Sequence, residues 1–287
     1  MFRLALALLG AAAFAQDTHV ILLGTGTPNP DPNRMGPSVA IVSSGHVYLV
    51  DAGPGVVWRA AQAGIGMPQL TRVFFTHLHS DHTAGYPDLI LTPPNSDRVE
   101  PIEAWGPPGT RAMTKHILAA FREDLNVRLH GGQPGVAAGF RAIAHDVKPG
   151  EIYRDEFVRV IAFAVPHATW KYAYGYRVEA KDRTIVISGD TTYSEGLIAA
   201  AKGCDILVHE VMSAAGVAKR TPDWRKYHMA SHTTAIDVGR VAAAVKPRVL
   251  VLYHLLPMGE TEEEVLGEVR RNWDGEVVYG KDLDVIR

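Results

Sequence analysis

Residues 76–82 read Thr76-His77-Leu78-His79-Ser80-Asp81-His82 and come directly after an apolar segment that has the composition of a β-strand. Three imidazoles and one carboxylate fall within this short stretch. In an extended chain the side chains of His77 and His79 point to the same side, because residues i and i+2 share a face. Asp81 and His82 follow where the chain turns. This spacing can serve two neighbouring metal ions, and nitrogen with carboxylate ligands favours zinc, with iron, manganese and nickel left open.

Three further potential ligands follow predicted strands later in the chain. They are His167, Asp190 and His254, and each comes at or just beyond the end of an apolar, β-branched run. In α/β proteins, ligands bind outside the carboxyl ends of the strands, so these side chains are expected to meet the first motif at one edge of the fold. Each residue taken singly could also be a core histidine or a turn aspartate.

The chain alternates between strand and helix patterns in both halves, which predicts sheets covered by helices. Strands are predicted at residues 18–23, 37–42, 46–50, 72–76, 157–165, 174–179, 184–188, 206–209, 248–253, 276–279 and 283–286. Helices are predicted at residues 56–63, 110–124, 234–245 and 260–271. A glycine-rich turn at residues 24–28 lacks the spacing of a nucleotide-binding loop, and we expect it to shape a pocket wall.

Composition narrows the class of protein. The 287 residues are 47% apolar, which is enough for one substantial core, and beyond the N-terminus no apolar run is long enough to predict a membrane span. The net charge is −2 and no block of Lys or Arg stands out, which weighs against a nucleic acid partner. Cys204 is the single cysteine, so an intrachain disulfide is excluded and a buried apolar role is expected.

The N-terminus resembles a short secretory signal. Arg3 precedes the apolar stretch 4–10, and Ala13-Phe14-Ala15 forms an A-x-A cleavage pattern before Gln16. This layout predicts a signal peptide at residues 1–15, a single mature domain at residues 16–287, and a secreted or periplasmic location. The alternative is an apolar strand or helix that packs on the domain.

The motif His77-x-His79-x-Asp81-His82 resembles the signature of the metallo-β-lactamase superfamily. The later His, Asp and His occur in the family's order, and Asp51-Ala52-Gly53 resembles its Asp-x-Gly motif. The resemblance covers residues 18–287. It implies an α/β (α+β) fold class, the four-layer αββα sandwich, in which two mixed sheets pack face to face and the metals bind at one edge.

The resemblance also implies roles for individual residues. One metal would be held by His77, His79 and His167, the other by Asp81, His82 and His254, and Asp190 would bridge the two. Asp51 would hold a ligand by a hydrogen bond without contacting metal. The implied chemistry is hydrolysis by two divalent metal ions, zinc being expected, that activate a water molecule. Asp81 therefore counts among the catalytic residues as well as the ligands.

Glu210 and His232 are the candidates for protonating the leaving group. His209-Glu210 ends a predicted strand, and Ser231-His232-Thr233-Thr234 opens the helix that follows. The pair resembles the ribonuclease Z branch of the superfamily, in which a Glu orients a His that donates a proton. The alternative is that Glu210 caps a loop and His232 begins a helix, without a chemical role.

Several segments, residues 24–28, 174–177 and 188–191, resemble ribonuclease Z and its arylsulfatase-type relatives. Ribonuclease Z enzymes of the common bacterial type carry a long tRNA-clamping arm between the motif at 174–177 and the bridging Asp. Here only the twelve residues 178–189 lie between Arg177 and Asp190. We therefore expect a small anionic ester, an aryl sulfate or a phosphodiester, as the substrate. A ribonuclease Z-like tRNA 3′-endonuclease, a lactone or β-lactam hydrolase and a non-enzymatic metal-binding scaffold remain alternatives, and the oligomeric state is open.

Two segments without an obvious core role are predicted to contact the substrate. Residues 93–98 follow the first ligand motif. Residues 220–227 lie between Glu210 and His232, and their aromatic and basic side chains suit an aryl anion. The alternative for the second segment is a solvated loop packed by Trp224.

Overall fold

The structure, a computed structural model, describes residues 17–135 and 137–287. The predicted signal peptide at residues 1–15 lies outside the described residues. It and the secreted or periplasmic location therefore stay predictions, which N-terminal sequencing of the mature protein would test. Within the described part of the chain, no helix is both long enough and apolar enough to span a bilayer.

The first half of the chain is built around six strands and five helices. They are β1 (His19–Gly24), β2 (Ser38–Ser43), β3 (His46–Val50), α1 (Val56–Gln62), β4 (Arg72–Phe74), α2 (Ser80–Thr83), α3 (Tyr86–Leu91), β5 (Ile102–Gly106), α4 (Thr110–Ala120), α5 (Arg122–His130) and β6 (Ala142–Asp146). Short 3₁₀ helices cover Met67–Gln69, Pro93–Ser96 and Ala137–Phe140.

The second half contains eight strands and five helices. They are β7 (Gly150–Arg154), β8 (Val158–Ala164), β9 (Tyr174–Ala180), β10 (Thr184–Ile187), α6 (Glu195–Ala201), β11 (Ile206–Met212), α7 (Ala214–Ala218), α8 (Pro222–Ser231), α9 (Ala235–Val245), β12 (Val249–Leu256), α10 (Glu262–Val269), β13 (Glu276–Tyr279) and β14 (Val285–Ile286).

The strands form two seven-stranded sheets. The first has the order β14-β1-β2-β3-β4-β5-β6 and the second β13-β12-β11-β10-β9-β8-β7. In each sheet one part is antiparallel and the other parallel, with the change at β3 in the first sheet and at β10 in the second. The sheets are therefore mixed, and the predicted fold class is confirmed.

Side-chain alternation along the strands separates three apolar layers. Inward residues of both sheets, Leu22, Ile41, Phe74, Val160, Tyr176 and Val251 among them, form the core between the sheets. Their neighbours in sequence point outward: Leu23 and Phe75 pack under the helices of the first half, and Leu207 and Leu250 pack under those of the second. Apolar side chains on both faces of each sheet give the αββα order of layers.

Several helices and strands were not predicted correctly from the sequence. The predicted helix 110–124 is two helices, α4 and α5, because the chain leaves helical geometry at Phe121. β6 and β7 were missed because they lie at sheet edges, and their residues are intermediate or exposed, so no clean alternation marks them. α8 was missed although Pro222 stands in its first turn, a position at which Pro favours a helix start.

Candidate metal centre

The seven predicted ligands converge on one edge of the sandwich. The first sheet contributes His77, His79, Asp81 and His82, which follow β4; the second contributes His167 after β8, Asp190 after β10, and His254 within β12. All are buried except His79, which is partly exposed. The topology explains the convergence, because β4 is parallel to β3 and β5, and β10 is parallel to β11, which is parallel to β12.

The first group of side chains is His77, His79, His167 and Asp190, whose potential ligand atoms lie within 4.8 Å of one another. Nδ1 of His79 lies 2.9 Å from Nε2 of His77 and 3.3 Å from Nε2 of His167. Oδ2 of Asp190 is 3.9 Å from Nε2 of His77. Three ring nitrogens and a carboxylate oxygen therefore face a common point, as a tetrahedral site requires.

The second group is Asp81, His82 and His254. Oδ2 of Asp81 lies 3.3 Å from Nε2 of His254 and 3.6 Å from Nε2 of His82. Asp190 also faces this group, with Oδ1 at 3.4 Å from Nε2 of His82 and Oδ2 at 3.3 Å from Nε2 of His254. Asp190 thus stands between the two groups, where the bridging role expected of it would require it to be.

The arrangement fits a pair of metal ions on its own chemistry. Nε2 of His82 and Oδ1 of Asp190 are buried and have no hydrogen-bond partner among the described residues, and such groups are costly unless a ligand satisfies them. Burial lowers the pKa of His77 well below that of a free imidazole and lowers that of His79 to about 4. Neutral rings keep the lone pair that metal binding needs. The two clusters are therefore suited to a binuclear metal site.

Hydrogen bonds behind the centre fix the orientation of the rings. Asp51 accepts from the backbone N and the hydroxyl of Thr76, both at 2.8 Å, and from Nδ1 of His82 at 2.8 Å. Nδ1 of His167 donates to the carbonyl of Ser231 at 2.7 Å. In both rings the bonded nitrogen points away from the centre and Nε2 faces it. Carboxylate and carbonyl partners of this kind hold ligating imidazoles in place.

Backbone geometry at two positions is unusual and serves the same end. Asp51 has φ of 61° and His254 has φ of 43°, a left-handed conformation that non-glycine residues rarely adopt. Asp51 directly follows β3, and His254 lies within β12 where the pairing with β11 shifts register and leaves His254 without a partner. Strained conformations of this sort cluster at functional sites because the surrounding contacts hold them.

Glu210 and His232 lie next to the centre. Glu210 is fully buried, and its Oε1 accepts from the backbone N of Thr191 at 3.2 Å and of Thr233 at 3.0 Å. Its Oε2 lies 3.3 Å from Nδ1 of His232. Burial alone would lower the pKa of His232, but the Glu210 carboxylate raises it to about 8. The ring is therefore able to carry a proton near neutral pH, as the predicted donor must; the role itself stays a prediction.

A cavity of about 730 Å³ opens over these residues. One wall consists of His79, Asp81, Asp190, His232 and His254. The other is formed by Pro28, the last residue of the glycine-rich turn, by its neighbour Asn29, and by residues of the 220–228 segment. The turn therefore shapes a pocket wall as predicted, and residues 220–227 are not a solvated loop, since most of them belong to α8 and several face the cavity.

The other predicted contact segment does not line this cavity. In residues 93–98, Arg98 is buried, and its guanidinium donates to four backbone carbonyls at 2.7–3.0 Å, those of Leu70, Leu89, Ile90 and Gly139. The prediction of substrate contact was wrong here, because the buried cation instead bonds to backbone carbonyls of α3 and of the 3₁₀ helix Ala137–Phe140. A buried Arg satisfied by carbonyls gives no sequence signal that separates it from an exposed one.

Comparison with known proteins identifies the relatives of this chain. A family model described as a beta-lactamase superfamily domain matches residues 46–255. A ribonuclease Z of Mycobacterium sp. (strain KMS) is 36% identical over 243 residues, 83% of this chain and 84% of that protein. A ribonuclease Z of Mycolicibacterium paratuberculosis (strain ATCC BAA-968 / K-10) is 34% identical over 276 residues, 92% of this chain and 96% of that protein.

Among solved structures, the short form of human tRNase Z superposes with a TM-score of 0.70 and 25% identity, covering 94% of this chain and 98% of that chain. The metallo-beta-lactamase fold protein YhfI from Bacillus subtilis has a TM-score of 0.74 at 18% identity, with 94% and 99% covered. The second likeness shows the fold alone.

These relatives overturn two predictions. The prediction of a small anionic ester, such as an aryl sulfate, as the substrate was wrong. The prediction that a nucleic acid partner is unlikely was also wrong, because the relatives are named as ribonucleases. The short β9–β10 connection exists as predicted, but the mycobacterial relative has about the same length as this chain, so a missing long arm does not separate them. Net charge did not indicate a nucleic acid partner because it averages over the whole surface.

Together, the family match over residues 46–255 and the identity along nearly the full length of ribonuclease Z proteins show what this chain is related to. It belongs to the beta-lactamase superfamily, as a metal-dependent hydrolase of the branch that contains ribonuclease Z.

Proposed function

We propose that this protein is a metal-dependent ribonuclease that cleaves a phosphodiester bond at the 3′ side of tRNA precursors. The observation that carries the proposal is the extent of the similarity: a ribonuclease Z matches over 276 residues, 96% of its length. The human neighbour at 25% identity is a tRNase Z. Similarity of this extent includes both the metal clusters and the segment that carries Glu210 and His232.

The side chains of the centre would hold two divalent ions, zinc being the expected metal because the donors are imidazole nitrogen and carboxylate oxygen. When bound, such ions polarise the phosphoryl oxygens and lower the pKa of a coordinated water. His77, His79 and His167 would form one half-site and Asp81, His82 and His254 the other. Asp190, whose Oδ1 faces His82 of the second group and whose Oδ2 lies between His254 of the second group and His77 of the first, would belong to both.

His232 would supply the proton that the leaving ribose oxygen needs. Its Nδ1 faces the Glu210 carboxylate, so Nε2, on the other side of the ring, is the atom from which a proton can leave. As the P–O bond breaks, that proton moves to the departing oxygen, and Glu210 keeps the ring in its orientation. A positioned acid typically contributes about 10²–10⁴-fold to the rate.

The test is cleavage of a tRNA precursor that carries an unpaired 3′ extension. The purified protein, loaded with zinc, should release the extension. Activity should disappear after chelation and return when zinc is added back. A matched aryl sulfate assay serves as the comparison substrate. If the loaded protein leaves the precursor intact under conditions in which it hydrolyses a non-nucleotide ester, the proposed function is wrong.

A further inference from the structure

Helix α8 presents large aromatic side chains to solvent at the mouth of the cavity. Trp224 is 58% exposed and Tyr227 is 46% exposed, and both line the cavity together with Arg220 and His228. Tyr227 and His228 follow Trp224 by three and four residues, which places these three rings on one face of α8, and Arg220 lies just before the helix begins. Aromatic side chains of this size are usually buried in a folded protein. A helix face that exposes them to solvent beside a functional cavity therefore indicates a binding surface.

The rings of this face continue inward as a row. Trp224 stacks on His228 with centroids 5.6 Å apart and an interplanar angle of 26°. His228 lies 5.9 Å from His232 at 35°, and His232 lies 5.5 Å from His254 at 24°. Neighbouring rings therefore connect the exposed indole to a side chain of the metal centre. A flat group stacked on Trp224 would lie at the outer end of this row.

The charge of α8 and of the residues just before it is complementary to a polyanion. Arg220, Arg225 and Lys226 form no ion pair and no side-chain hydrogen bond with any other residue in the described ranges, and Asp223 is the one acidic residue between them. Arg220 and His228 also line a second cavity of about 350 Å³, which extends along the loop at residues 26–34. The open space thus continues on both sides of Arg220, as an extended strand requires.

Two hydrogen bonds fix the end of α8 to the metal centre. Nδ1 of His167 donates to the carbonyl of Ser231, and the backbone N of Ala168 donates to the carbonyl of Ala230 at 2.8 Å. The aromatic face is therefore held at a set position relative to the reacting group. A loop in the same place would lack that constraint.

We propose that Trp224 and Tyr227, with Arg220, form a stacking platform for unpaired bases of the RNA next to the cleaved phosphodiester. The inference rests on the proposed function and adds to it the part of the substrate that this surface takes. Every base has a flat π-face, so recognition by stacking tolerates any sequence, and the free cations hold the phosphates between the bases. The platform residues bind the substrate and take no part in the reaction at the metal centre.

The experiment compares two probes that differ only in their bases. Binding of a short single-stranded oligoadenylate and of an abasic oligonucleotide of the same length is measured by fluorescence anisotropy, with probe integrity checked after each titration. Trp224→Ala should weaken oligoadenylate binding by roughly 5- to 100-fold, the range expected for one stacked base. Abasic binding should stay unchanged, and Trp224→Phe should keep most of the affinity.

Trp58→Ala is the matched control, because Trp58 on α1 is 73% exposed but does not line the cavity; it should bind both probes as the parent does. Unchanged oligoadenylate binding by Trp224→Ala, or an equal loss for both probes, would overturn the platform. A change in oligomeric state on size exclusion would overturn it too, because the face would then be a protein interface. Melting temperature and metal content confirm that each variant is folded.

The two proposals fail separately. If the parent protein binds oligoadenylate through Trp224 but does not cleave the tRNA precursor, the platform stands and the proposed activity on tRNA is wrong. If the parent protein and the Trp224→Ala variant cleave the precursor with the same KM, the proposed ribonuclease activity stands and the platform is wrong.

Discussion

Oε2 of Glu210 lies 3.3 Å from Nδ1 of His232, while Oε1 of the same carboxylate is held by two backbone N–H groups. The carboxylate is buried and cannot turn, so it fixes the plane and the protonated nitrogen of the imidazole. It has no open path to the substrate, whereas His232 lines the cavity. We therefore expect Glu210 to orient the imidazole and His232 to transfer the proton.

His232→Ala should keep both metal ions, because the seven side chains of the two clusters remain. Cleavage of the tRNA precursor should slow by about 10²–10⁴-fold in kcat, since the ribose oxygen is a poor leaving group that needs a proton. Methyl p-nitrophenyl phosphate should lose far less, because nitrophenolate leaves readily as an anion. Equal losses on both substrates together with a fall in metal content would show that His232 supports the metal site instead.

Glu210→Gln should follow the same pattern more weakly. The amide keeps the shape of the side chain but removes the charge that favours the protonated ring, so kcat for the precursor should fall by less than in His232→Ala. The ratio of the losses on the two substrates is the measurement. A variant that loses nitrophenyl ester activity as strongly as precursor cleavage would contradict an orienting role.

Asp190→Ala should abolish most activity. It should also reduce the metal content, which for a bridged pair is expected to be about two ions per chain. The reason is that the Asp190 carboxylate faces both clusters, His82 and His254 in one and His77 in the other. Inductively coupled plasma mass spectrometry after gel filtration measures the ratio. Asp274→Ala, at an exposed position before β13, is the control and should keep the parent value. Full activity of Asp190→Ala with a single ion bound would rule out bridging.

Asp51→Ala should weaken metal binding without removing any proposed ligand. Its carboxylate holds Nδ1 of His82 at 2.8 Å, and loss of such a partner typically costs about 10–100-fold in metal affinity or activity. Competition with a fluorescent zinc chelator gives the affinity directly. An unchanged affinity would mean that packing alone orients His82.

Gly53→Ala should lower both thermal stability and metal affinity, because a Cβ at this position would lie 2.6 Å from the carbonyl oxygen of Asp81 and 2.3 Å from the carbonyl carbon of Gly36. Forcing these segments apart should cost about 1–3 kcal/mol. Gly267→Ala is the opposite case, since a Cβ there meets open space within α10 and should stabilise the protein by roughly 0.5–1 kcal/mol. The two melting temperatures should therefore move in opposite directions.

Much of the site could be predicted because metal binding demands particular residue types at particular spacings. His77, His79, Asp81 and His82 are close in sequence and so are close in space whatever the rest of the fold does. His167, Asp190 and His254 could be added because each ends a strand with a strong β pattern. The structure brings all seven together, and their roles as ligands stay predictions until metal is measured.

The substrate side of the site was harder to predict, because it depends on how surface elements stand in space. Residues 93–98 and 220–227 look alike in composition, each mixing Pro with charged side chains, yet Arg98 is buried and Trp224 is exposed. No local pattern distinguishes the two. The substrate prediction failed for a related reason: the three cations around Trp224 are balanced by acids elsewhere, so total charge conceals a local basic surface.

The sandwich divides the ligands between its two sheets, four from the first and three from the second, so neither sheet holds a complete half-site alone. Asp81 and His254, which meet at 3.3 Å, are 173 residues apart in the chain. A metal pair at this edge is therefore a removable cross-link between segments separated by more than half of the polypeptide, and it stabilises the fold because it binds the folded chain and not the unfolded one. Complete metal uptake can follow only after both sheets have packed, and chelation should loosen the sandwich at its open edge first.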